Sequence, residues 1–94
     1  MSQNKITEKI MEILENYIKG EDIYTTAKRI VDTLWTWESF VSLMSYNEDP
    51  WRAYSRQILY VEEIIAMCGD AVEQGLGYND LTACVLDALS NTDP

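Results

Sequence analysis

The sequence predicts an all-α protein, a compact bundle of four to five helices forming one domain over residues 1–94. Three observations lead there. Apolar residues recur at three- and four-residue steps along most of the chain, the segments so marked start and stop at residues suited to helix caps, and no alternating apolar–polar run bounded by turns marks a strand. With 94 residues, 47% of them apolar, the chain can build one core and fold despite its charge. So small a chain buries only about 60–65% of its unfolded surface, which leaves dimerisation open as a source of further burial.

The first helix is expected from about Asn4 to Ile18, where Ile6, Ile10, Ile13, Leu14 and Tyr17 share a face. Glu8, Lys9, Glu12, Glu15 and Lys19 fall on the other side. Gly20 follows as a C-cap, where glycine tolerates a left-handed backbone. A second helix begins near Asp22, and Ile23, Ala27, Ile30, Leu34, Trp37, Val41 and Met44 keep one helical register. That register suits a single long helix. It also suits a break near Thr36, which would cap a short helix from Trp37 to Ser45, and the break is the preferred reading. Trp35 lies off the stripe and needs its own cover.

Tyr46 to Asp49 reads as a loop, and Asp49-Pro50 as a helix start: aspartate accepts free amides, and proline at the first helical position loses no hydrogen bond. This helix carries Trp51, Tyr54, Ile58, Val61, Ile65, Cys68 and Val72 on one face and stops at Gly75, with a stop or kink at Gly69 as the alternative. Adding Tyr60, Ile64 and Met67 widens its apolar arc to roughly 200°. Such an arc suits a central helix, or one whose second flank, Tyr60, Ile64 and Met67, forms a homodimer interface. Gly75-Leu76-Gly77 is a turn, after which Asn79 is expected to cap a last helix from Asp80 to Ser90 that buries Leu81, Val85, Ala88 and Leu89. Asn91 to Pro94 is expected to fray.

Function classes narrow by residue type. Histidine is absent, which removes the commonest general base, the usual partner of a nucleophilic serine or cysteine, and the commonest zinc ligand. No glycine-rich phosphate loop occurs, since the glycines are Gly20, Gly69, Gly75 and Gly77. The paired carboxylates Glu62-Glu63 and Glu48-Asp49 are poor acid–base candidates, because neighbours on a helix point about 100° apart. Cys68 and Cys84 sit inside apolar helical patterns and read as buried free thiols suited to a reducing compartment. Apolar runs fall far below the roughly 18–20 residues that span a bilayer, and MSQNKITEKI carries no hydrophobic signal segment, so a soluble cytoplasmic protein is expected. No catalytic residue, metal or cofactor is expected.

Charge is the most informative feature. The net charge is −9, and all seven basic residues lie at or before Arg56. Beyond it Glu62, Glu63, Asp70, Glu73, Asp80, Asp87 and Asp93 meet no lysine or arginine. On a helical wheel Glu62, Glu63, Asp70 and Glu73 occupy an arc of about 100° opposite the apolar stripe, forming an acidic ridge. Such a ridge either serves as a solvated face that favours solubility, or docks on a basic surface as a decoy for phosphates. Glu62, Glu63, Asp70, Glu73, Asp80 and Asp87 are accordingly the expected partner-binding residues. Direct nucleic-acid binding is opposed by the charge. Trp35, Trp37 and Trp51 are either core residues or binding anchors.

Taken over the whole chain, this profile of a short, acidic, helical protein without catalytic residues resembles that of the anti-restriction and anti-CRISPR inhibitors of phages and mobile elements. It is also similar to that of toxin-immunity proteins. The resemblance implies a non-catalytic inhibitor that occupies a basic, nucleic-acid-binding surface of a host protein. A structural or regulatory helical homodimer is the alternative.

Overall fold

Capping sets the helix boundaries. A computed structural model describes the backbone of residues 2–44, 46–75 and 80–90, with side chains from residue 5 onward. Five helices occur among them: α1 (Ser2–Ile18), α2 (Ile23–Leu34), α3 (Trp37–Leu43), α4 (Pro50–Gln74) and α5 (Leu81–Ser90). Helix α1 starts two residues before the expected Asn4 and ends where expected. Gly20, at φ 124°, turns the chain so that its own N–H reaches Tyr17 O and that of Glu21 reaches Asn16 O, both at 3.0 Å.

Asp22 caps α2 by accepting the Thr25 amide (2.9 Å) and the Thr25 hydroxyl (2.7 Å). These bonds favour the carboxylate and hold its pKa below the ordinary aspartate value. Thr26 is fully buried, and its hydroxyl donates to Asp22 O at 2.9 Å.

The expected break is present and sharp. Trp35 and Thr36 are both extended, α2 ends at Leu34, and Thr36 opens α3 with a reciprocal capping box: Ser39 N–H reaches Thr36 Oγ1, and Thr36 N–H reaches Ser39 Oγ. Helix α3 ends at Leu43, while the expected end, Ser45, lies outside the described residues. Asp49 then caps α4 through the Arg52 amide at 3.1 Å, with Pro50 in the first turn. Arg56 fastens the intervening loop, donating to Leu43 O at 2.8 Å and pairing with the Glu48 carboxylate.

Helix α4 runs unbroken through Gly69 and is capped by Gly75 in the left-handed region, φ 72°. At 25 residues it is about 37 Å long. The last helix differs from expectation at its start. It begins at Leu81, and the Asp80 carboxylate accepts the Ala83 amide at 2.7 Å, so Asp80 fills the capping role assigned to Asn79. Asn79, the Leu76-Gly77 turn and the tail from Asn91 lie outside the described residues.

Helix α4 is the organising element, with α2, α3 and α5 packed against it, while α1 closes on α2 and α5. All five helices contribute to one core centred on Leu14, Ile30, Val31, Ile58, Val61, Ile65 and Val85. Trp35 finds its cover there and is almost wholly buried, yet its indole N–H has no acceptor among the described residues. An unmade hydrogen bond of this kind costs about 1–3 kcal/mol. Among the described residues no helix is long and apolar enough to cross a membrane.

Candidate functional site

The ridge residues divide by burial. Glu63, Asp70 and Glu73 are exposed on the outer side of α4, Glu62 is half-buried beside them, and Asp87 is exposed on α5. Asp80 is exposed as well, although one of its oxygens serves the α5 cap. The helix fixes the carboxylate spacing: Glu62, Glu63, Asp70 and Glu73 recur over three turns on the side turned away from α2 and α5. The three ion pairs among the described residues, Arg29–Glu21, Lys28–Asp32 and Arg56–Glu48, all lie at or before Arg56. The C-terminal two-thirds of α4 therefore shows solvent a negative surface with no cation of its own.

The flank expected to form a dimer interface is split by the fold. Ile64 belongs to the core, at 7% exposure, whereas Tyr60 and Met67 point outward. Leu59, at 60% exposure, joins those two and lies between Glu62 and Glu63 on the helical wheel. The outer face of α4 is thus mixed, apolar side chains alternating with carboxylates.

A second surface lies at the other end of α4. The register read through Thr36 placed Trp37, Val41 and Met44 on the buried stripe. The two extended residues at the break rotate α3, so Phe40 turns inward while Trp37, Val41 and Met44 face out. Trp51, also expected on the buried face, is 64% exposed and meets Trp37 edge-on at 5.2 Å between ring centroids. Tyr54 joins this aromatic group by edge-on contacts with Trp51 and Phe40, at 6.0 and 5.1 Å.

These rings line an open cleft of about 450 Å³ whose polar wall is Lys28 and Asp32. The Tyr54 hydroxyl donates to Asp32 Oδ1 at 2.8 Å, and Lys28 Nζ lies 3.4 Å from Asp32 Oδ2. The Lys28 ammonium is accordingly held above its ordinary pKa, by its interaction with Tyr54 first and by Asp32 second. Burial, with donation to Asp32, raises the Tyr54 pKa. In the sequence the tryptophans stood out as core or anchors, and the i,i+4 spacing of Lys28 and Asp32 is the signal for the polar wall. Phe40, which seats α3 on α4, carried no signal beyond being apolar.

The carboxylate pairs considered for acid–base chemistry have structural surroundings. Glu48 pairs with Arg56 and Asp49 caps α4, while Glu62 and Glu63 diverge. No cluster of three or more cysteine, aspartate or glutamate side chains suited to a metal ion occurs among the described residues. Cys68 and Cys84 are buried free thiols whose side chains interact across α4 and α5. Burial, reinforced by Cys84, pushes the Cys68 thiol up to about 12. Comparison of the chain with protein-family models, with curated proteins and with solved structures finds no significant match.

Proposed function

We propose that this is a non-catalytic binding protein whose acidic α4–α5 face occupies a basic, nucleic-acid-binding surface of another protein. In this reading it acts as an inhibitor of the kind used against restriction or CRISPR defence. The supporting observation is the outward run of Glu63, Asp70 and Glu73, flanked by Glu62, on one continuous helix that has no cation beyond Arg56. A nucleic-acid-binding surface presents lysine and arginine at phosphate spacing, and a rigid helix holding carboxylates at fixed intervals competes for them. Leu59 and Met67 add apolar contacts between the charges, which a salt-independent part of the affinity requires.

The test uses a variant carrying Glu62→Gln, Glu63→Gln, Asp70→Asn and Glu73→Gln. Wild type and variant are used to capture partners from a cell lysate, and the captured protein is then titrated with each at rising salt. The wild type should displace nucleic acid from that partner, with an association rate that falls steeply as salt increases. The variant should associate more slowly and lose much of this salt dependence. Equal affinities across the titration would show that the ridge is only a solvated face.

A further inference from the structure

We propose that α3 and the first turn of α4 form a two-fold interface with a second copy of this chain, centred on Trp37, Val41, Met44 and Trp51. In α3, Trp37 and Val41 are one helical turn apart, and Met44, the C-cap residue, continues their line; their exposures are 50%, 42% and 37%. Trp51 extends the patch across the edge-on contact with Trp37. Two half-exposed tryptophans with two aliphatic neighbours leave roughly 400–500 Å² of apolar surface open, as much as the largest patch on a typical monomer. A standard interface takes about 800 Å² from each partner, so this patch supplies its centre and the polar residues around it the rim.

Charge identifies the occupant. The rim carries both signs: Lys28 and Asp32, paired with each other, line the cleft beside the tryptophans, while Arg52 follows Trp51 and Glu38 follows Trp37 in the sequence. Arg52 and Glu38 are exposed, and neither belongs to an ion pair among the described residues. A two-fold axis through the patch lays apolar surface on apolar surface and lets Arg52 of each copy face Glu38 of the other. A rim of one sign would forbid that arrangement. A second exposed apolar group, Leu59, Tyr60 and Met67 on α4, fails the same test. Its rim is Glu62, Glu63 and Asp70, and apposing two copies there sets carboxylate against carboxylate. The near-neutral α3 patch is likewise a poor match for a strongly basic target, which favours the ridge instead.

The dimer does not depend on the inhibitor reading, because it leaves the acidic part of α4 uncovered. It would present two ridges on one particle, which adds avidity wherever a target offers two basic sites.

The test is sedimentation equilibrium of the isolated protein from low micromolar to several hundred micromolar. The average mass should rise from the 10.8 kDa of one chain towards twice that value. Val41→Asp, at an exposed site in the patch, should raise the dissociation constant at least about thirty-fold with no change in helical circular dichroism, and Trp51→Ala should do likewise. Arg52→Glu and Glu38→Arg should each weaken association, and their combination should restore it. The mass of one chain at every concentration overturns the proposal. So does a dimer that ignores Val41→Asp yet disappears with Met67→Asp, or a double reversal weaker than either single change.

Discussion

Replacing Gly69 by alanine should stabilise the protein. Gly69 lies inside α4, where a Cβ built on its backbone meets nothing within 4 Å. An interior helical glycine is about 0.8–1 kcal/mol less favourable than alanine, chiefly because the unfolded chain has more freedom to lose at glycine. Nothing in the surrounding packing subtracts from that gain. The expected increase is therefore about 1 kcal/mol. For a chain of this size that is a rise in Tm of roughly 4–5 °C, and a shift of the urea midpoint of roughly 0.5–1 M. Gly75→Ala is the control: its φ of 72° strains any residue with a Cβ, so that variant should melt lower. A Gly69→Ala protein that melts at or below wild type would refute the reasoning, showing that α4 is not a regular helix there or that another surface approaches the bare backbone.

Phe40→Ala should cost about 3–5 kcal/mol in urea unfolding, because Phe40 is the side chain that α3 buries and it packs edge-on against Tyr54. Asp22 is depressed in the folded state by its bonds from Thr25, so the stability it contributes is complete above about pH 3.8 and is lost as pH falls through the lower folded value. Asp22→Asn, which keeps a capping oxygen without titrating, should flatten the decline of stability with acid in that window, as read by acid unfolding at several urea concentrations. Cys68, raised to about 12, should resist alkylation by iodoacetamide at mildly alkaline pH until denaturant is added. Rapid labelling of the native protein would contradict its burial. The raised thiol also predicts that stability declines as pH climbs above its ordinary value of 9.0, where only the unfolded thiol ionises readily.

What the sequence reveals and conceals follows from how far each interaction reaches. The caps at Thr36 and Asp49, and the helix start near Asp22, were legible because a cap joins residues three apart, and no distant packing is needed to form it. The phase of a helix is equally local only while the helix continues. Reading Trp37, Val41 and Met44 on the stripe of Ile23, Ala27 and Ile30 carried a rotation of about 100° per residue across Trp35 and Thr36, which are extended and do not turn at that rate. Carrying the stripe across the break assigned Val41 and Met44 to the core, left Trp37 open between core and binding anchor, and hid Phe40. The wide apolar arc of α4 posed a different problem. Periodicity shows that Tyr60, Ile64 and Met67 are adjacent, but only the seats of α2, α3 and α5 decide that Ile64 is covered and Met67 is not. The acidic residues were easier to place, because burying an unpaired carboxylate is so unfavourable that the surface is the default.

The same ridge gives a physical reason to separate stability from function within α4. Asp70 and Glu73 sit near its C-terminal end, where the unsatisfied carbonyls of the helix make the potential negative, and the last turn contains no basic residue. Glu73, in the last turn, is disfavoured by about 0.3–1 kcal/mol, and repulsion between it and Asp70 at helical spacing adds a few tenths more. The interior glycine lies within the same stretch. Three features in one half-helix thus oppose folding, and every one lies off the buried face, where core packing imposes no requirement. The C-terminal half of α4 therefore carries charges that its packing does not require, and under the proposed function the fourfold neutralised ridge should melt above wild type and bind a basic partner more weakly. Were neutralisation to leave both melting and binding unchanged, the charges would be effectively screened in the native protein, and neither the frustration of α4 nor its role as a decoy would survive.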